Sequence, residues 1–120
     1  MNNTEFTDVM EKQFQRSEKI LAGKAAEYAT DTDRLHNFKV VSELQNIPMR
    51  LAVANLMSKH TVSIYDLARS DKHEPMDMWD EKITDHINYL ILLKAVLTEE
   101  ANAQTTAESN PNYPVHNPNV

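Results

Sequence analysis

The stretch "EKITDHINYLILL", residues 81 to 93, decides how this chain is read. Two acids, Glu81 and Asp85, stand one helical turn apart, just before a run of nearly pure hydrocarbon. At ~100° per residue, Glu81, Asp85, Asn88, Leu92 and Val96 share one side of a helix, opposite Ile83, Ile87 and Leu90. A helix with one exposed side does not carry Tyr89, Ile91, Leu92 and Val96 around its circumference, because helices that are apolar all round are buried. The segment is therefore expected to be central in the fold, or to pack its Leu92–Val96 side against another subunit. Either way, its acids are expected to line a pocket and not to face bulk water.

Three more helices precede it. Phe6, Val9, Met10, Phe14, Ile20, Leu21, Ala25 and Tyr28 recur at three- and four-residue steps, with Ser17 filling the gap, which predicts a helix over residues 5–28. The only glycine, Gly23, lies inside it and should cost about 1 kcal/mol relative to alanine. It is either a tolerated defect or a point where a helix or ligand comes close. "ATDTD" breaks the pattern and offers Asp and Thr as N-caps for a second helix over 33–45, carrying Leu35, Phe38, Val41 and Leu44. Pro48 suits the first turn of a third helix reaching Arg69, with Met49, Val53, Leu56, His60, Ile64 and Leu67 on one face. Pro75 opens the fourth helix in the same way, and this one extends to about Glu99. Its core face is expected to be Met76, Trp79, Ile83, Ile87, Leu90 and Leu97. The domain thus covers residues 1–100. Residues 101–120, with three of the five prolines and little to bury, read as an extended or disordered tail, on which Tyr113 and Val115 are the only candidates for docking.

Composition narrows the function. One domain accounts for 120 residues. A single glycine argues against a β-rich fold and against a phosphate-cradling glycine loop. The formal charge of −6 disfavours non-specific binding to nucleic acid or to an anionic membrane. The absence of cysteine removes disulfide and thiolate chemistry and fits a reducing cytoplasm. The opening "MNNTEFTDVMEKQ" lacks the order of a signal peptide, and "YLILL" falls far short of the ~20 apolar residues of a membrane span. A cytoplasmic protein is expected, with no nucleic-acid or membrane partner.

The chemistry-bearing residues allow more than one use. Carboxylates at i and i+4, as in Glu81 and Asp85, can share a Mg²⁺ ion, which takes one or two carboxylates and fills its shell with water and phosphate oxygens; such pairs are also common on solvated helices. His60 lies mid-stripe and should be partly buried, either bonded to a carboxylate or carbonyl or touching a ligand. Lys24, Lys59 and Arg50 can clamp a phosphate, and Tyr28, Phe38 and Tyr89 can stack on a base, with Phe38 the one best suited to the core. His86 reads as a boundary residue, and His36, His73 and His116 as surface residues.

"KAAEYATDTDRLHNF" followed by "EKITDHINYLILL" resembles a family of small, largely viral proteins, the nucleotide modification associated domain. That family carries Lys-x-x-Asp-Tyr, then Asn-Phe, a basic helix, and an acid-x₃-Asp-x₃-Tyr helix. Lys24, Glu27 and Tyr28 match the first element, with Glu27 where the family more often has Asp; Asn37 and Phe38 match the second, Lys59 the third, and Glu81, Asp85 and Tyr89 the last. The likeness spans residues 20–97. The family in turn looks distantly like the MazG-type all-α pyrophosphohydrolases, oligomeric bundles that hold Mg²⁺ between a Glu-x-x-Glu helix and a Glu-x-x-Asp helix. The match is poor here, because the first helix offers only Glu11, Glu18 and Glu27, and Glu81 to Asp85 is a step of four.

The four helices read from the pattern and the resemblance together imply an all-α, MazG-like bundle, and a homodimer or tetramer is expected because the two-faced fourth helix has more apolar surface than one small domain can cover. It implies a phage-type protein that binds and sequesters a nucleotide or nucleotide-derived molecule without turnover, blunting a host defence signal. Lys24, Glu27, Tyr28, Asn37, Lys59, His60, Glu81, Asp85 and Tyr89 are the candidate ligand-binding residues, and Glu81 and Asp85 the candidate ligands of Mg²⁺, the one cofactor implied. The alternatives are a Mg²⁺-dependent nucleotide pyrophosphohydrolase and a protein-binding adaptor.

Overall fold

A computed structural model of the chain describes residues 1–28, 32–108 and 112, apart from the side chains at 26–28 and 107–108. Among these residues all regular structure is helical: α1 (Asn3–Tyr28), α2 (His36–Gln45), α3 (Met49–Arg69) and α4 (Met76–Glu108). None of the helices is long and apolar enough to cross a membrane. The 33 residues of α4 make a rod of about 50 Å, which accounts for most of the 59 Å long axis.

Local chemistry sets the helix ends. Asn2 and Glu5 form a reciprocal capping box at the start of α1, each side chain accepting from the other's backbone N–H, at 2.9 and 2.8 Å. Asp33 steers the chain into α2 through an Asx turn, its Oδ1 accepting from the Leu35 N–H at 3.0 Å; the helix itself begins only at His36. Asn46 ends α2 in the left-handed conformation (φ 53°), which asparagine tolerates better than most residues. Pro48 and Pro75 stand just before α3 and α4, and their carbonyls accept the first backbone bonds of each helix.

The fourth helix runs past the expected boundary at residue 100. Once a helix is nucleated by packing, each added residue gains a backbone bond, so a polar continuation stays helical without burying anything. The hydroxyls of Thr105 and Thr106 bond back to the carbonyls of Ala101 and Asn102. Apart from Asn112, the rest of the expected tail, including Tyr113, Val115 and His116, lies outside the described residues.

The core is small and built by α2, α3 and α4. Leu35, Phe38, Val53 and Val96 are buried together, with Met49, Leu56, Tyr89, Leu92 and Leu93 packed against them. Val96 is fully buried, so the Leu92–Val96 side of α4 faces its own chain and not another subunit. The side expected to be core points outward: Met76 is 70% exposed, Leu90 47% and Leu97 41%. Ranking the sides of α4 by hydrophobicity selects the wrong one, because the inward side carries Thr84, Asp85 and Asn88 for polar contacts.

Those polar contacts hold α1. Ser17, Thr84 and Asn88 are buried where α1 crosses α4. Gln13 Nε2 donates to Ser17 Oγ at 3.1 Å and to Thr84 Oγ1 at 3.0 Å, and Asn88 Nδ2 donates to the Ser17 carbonyl at 3.4 Å. Arg16 pairs with Asp80 at 3.3 Å at the edge of the crossing. Before Gln13, every residue of α1 is exposed.

A Cβ built at Gly23 would meet nothing within 4 Å, so neither a helix nor a described segment needs the glycine there. Gly23→Ala should raise stability by about 0.5–1 kcal/mol in urea unfolding, the gain in helix propensity with no steric offset. Val96→Ala, which opens a void in the core, should lower it by about 2 kcal/mol in the same measurement.

Candidate functional site

The crossing of α1 over α4 leaves a cavity of about 280 Å³ on its α2–α3 side. Each helix contributes to its wall. Leu21 and Lys24 come from α1, Asn37 and Phe38 from α2, and Leu56, Lys59 and His60 from α3. The α4 wall is Asp85, Asn88, Tyr89 and Leu92, and Arg34 closes the end where the chain turns into α2. Spacing accounts for the α4 contribution: residues 85, 88, 89 and 92 fall at steps of three and four and line one groove.

Charge is concentrated here against the trend of the molecule. Among the described side chains, three cations, Lys24, Arg34 and Lys59, face a single carboxylate, Asp85, in a chain of net charge −6. Lys24 Nζ lies 3.8 Å from Asp85 Oδ1. Arg34 is held in place by donating to the Leu21 carbonyl of α1 at 3.2 Å. Lys59 is exposed and has no acidic partner among the described residues, so its ammonium is the least committed of the three.

His60 sits deeper, its side chain only 13% exposed. Its Nδ1 is 3.8 Å from Asp85 Oδ2, beyond hydrogen-bond distance, and its ring lies 4.8 Å from that of Tyr89 at a tilt of 34°. Burial lowers the imidazole pKa below its ordinary 6.5, outweighing the attraction of Asp85, so the ring is neutral at neutral pH. Nε2, whichever tautomer the ring adopts, is buried with no hydrogen-bond partner among the described residues, and so is Oδ1 of Asn88, whose Nδ2 is used on Ser17. Two such buried polar atoms, on two residues lining one cavity, are costly at about 1–3 kcal/mol each unless something supplies their partners.

Of the residues singled out from the sequence, Lys24, Asn37, Lys59, His60, Asp85 and Tyr89 are brought together here. The side chains of Glu27 and Tyr28 lie outside the described residues. Glu81 stands apart: it is 65% exposed and lies 3.6 Å from its neighbour Lys82. Glu81 and Asp85 thus do not converge on one point. Asp85 lies 3.8 Å from both Lys24 Nζ and His60 Nδ1, while Glu81 is solvated. No group of three or more His, Asp or Glu side chains among the described residues has the geometry of a metal site. Glu11 and Glu18 are on the exposed surface of α1, and Arg50 is turned to Glu100 at 3.6 Å.

Arg34 and Asn88 escaped the sequence reading. Arg34 falls inside the second helix predicted over 33–45, where the pattern gives it no role. Asn88 fell on the correct stripe of α4, but a buried amide and an exposed one look alike in sequence. His86 bonds Thr61 Oγ1 at 2.8 Å and ties α4 to α3, while His36 and His73 are exposed.

No known family model, curated protein or solved structure matches the chain, so the likeness to the nucleotide modification associated domain rests on the quoted residues alone.

Proposed function

We propose that the chain binds and holds a small nucleotide or nucleotide derivative in the cavity between its four helices, without turning it over. The observation that carries this is the pairing of two buried polar atoms without partners among the described residues, His60 Nε2 and Asn88 Oδ1, with a rim of three cations. A bare phosphate would suit the cations but offers few donors. A nucleotide supplies both parts: phosphate oxygens for Lys24, Arg34 and Lys59, and the polar groups of base and sugar for the two buried atoms. The tilted Tyr89–His60 pair gives the base an aromatic wall. At about 280 Å³ the cavity is at the lower end of ligand pockets, which suits one nucleotide unit and not a long polymer.

Holding is favoured over hydrolysis by the supply of carboxylates. Metal-assisted attack of water on a phosphoanhydride needs several carboxylates to hold the ion and orient the water. Among the described residues the cavity offers one, already facing Lys24 and His60. In a phage setting, as the sequence resemblance suggests, such a protein would act as a sponge for a host nucleotide signal.

The test is calorimetric titration with a nucleotide panel and with inorganic phosphate, with and without EDTA, followed by mass spectrometry of the solution and of the denatured protein. A nucleotide should bind more tightly than phosphate, bind equally with EDTA, and be recovered intact. Lys59→Glu, at an exposed position, should weaken binding at least tenfold (~1.4 kcal/mol) while the melting midpoint stays put. Release of hydrolysed product would instead establish the enzyme, and equal affinity of wild type and Lys59→Glu would take the rim out of the site.

The buried imidazole makes a second, ligand-free prediction. Because the folded pKa of His60 lies below 6.5, the unfolded chain takes up its proton first as pH falls. The neutral ring's contribution is therefore complete above pH 6.5 and is lost as pH drops from there through the folded pKa. His60→Gln should flatten this part of the stability–pH curve, and the His60 ring signals in NMR should titrate below 6.5. A His60 pKa at or above 6.5 would show that Asp85, and not burial, dominates.

A further inference from the structure

The outward side of α4 repeats with a period of seven. Met76, Ile83, Leu90 and Leu97 are spaced seven residues apart, and all are exposed, from 36% at Ile83 to 70% at Met76. A seven-residue apolar repeat on a helix is the pattern of a seam with another helix, and this one is about 31 Å long. No described segment of its own chain covers it.

A matching surface lies on α1. The stripe that packs Ser17, Ile20 and Leu21 toward the body continues toward the N-terminus as Phe6, Val9, Met10 and Phe14. There α4 no longer accompanies it, and these four are 40–62% exposed. An isolated helical arm with such a face is marginal in water unless the face is covered.

We propose that the α4 seam and the α1 arm form one self-association surface, occupied by a second copy of this chain. Two observations select a copy over an unrelated partner. The two faces are complementary in kind, since each is an apolar helix stripe, and a two-fold arrangement lets every chain both give an arm and receive one. The charges agree: Glu11 flanks the arm's stripe and Lys94 interrupts the α4 seam, and neither has an ion-pair partner among the described residues. This surface is on the opposite side of α4 from the Leu92–Val96 core and is independent of the ligand proposal.

The test is sedimentation of the full chain at micromolar concentration, with helicity followed by circular dichroism. Wild type should show twice 13.8 kDa and a melting midpoint that rises with protein concentration. Leu90→Glu and Val9→Glu should each give 13.8 kDa, because an acid cannot be buried unpaired in an apolar seam. Should Leu90→Glu lose its helicity, Val9→Glu decides alone, since every residue of α1 before Gln13 is exposed. A wild-type mass other than twice 13.8 kDa, or a Val9→Glu variant that keeps the wild-type mass, overturns the proposal.

Discussion

The joint between Ser17 and Thr84 governs the rest of the molecule. Both side chains are small and buried, which lets α1 cross α4 closely, and Gln13 bridges them so that the close approach leaves no hydroxyl stranded. Larger apolar residues would push the helices apart. The crossing also fixes where α1 goes next: its C-terminal half swings over the α2–α3 side and forms one wall of the cavity with Leu21 and Lys24. Asn88 belongs to both structures. Its amide nitrogen secures Ser17, and that bond leaves the amide oxygen as an unsatisfied acceptor. Geometry at the joint is therefore transmitted directly to the chemistry of the cavity.

Much of this was legible in the sequence. Four helices, the breaks at "ATDTD", "QNIP" and "SDKHEP", and the two prolines at helix starts follow from local patterning, and local patterning is what a sequence states most directly. Six of the nine candidate site residues line one cavity because helical spacing correctly puts Asp85 and Tyr89 on one side of α4 and His60 on the inner stripe of α3. Two things were not legible. Which side of α4 faces the core depends on the polar residues α1 brings to it, a long-range fact. And the length of α4 past residue 100 depends on cooperative propagation, to which composition is blind.

Glu81 and Asp85 show why spacing alone misleads. At i and i+4 the two differ by only about 40° in direction, so a helical wheel puts them together. They differ by about 6 Å along the axis, and that decides their environment. Asp85 is level with Lys24 and His60; Glu81 is one turn nearer the start of α4, where no neighbour covers it. A wheel projects out the one coordinate that separates a half-buried carboxylate from a solvated one.

Binding an anion on a protein of charge −6 demands that local charge win over global charge, and the distances allow it. At physiological salt, interactions between exposed charges fade over about 8 Å, so the dispersed acids of the surface act weakly on a ligand inside the cavity. On the proposed reading, Lys24, Arg34 and Lys59 would act on it at contact range, in surroundings where water is partly excluded and attraction is correspondingly stronger. A long polyanion fares differently. Its phosphates beyond the cavity would lie over the acidic surface and gain nothing there, while each neutralised phosphate is what gives nucleic-acid binding its strength. The same charge layout thus favours a single small anion over a nucleic-acid strand, which fits a cavity large enough for one nucleotide unit and walled on four sides by helices.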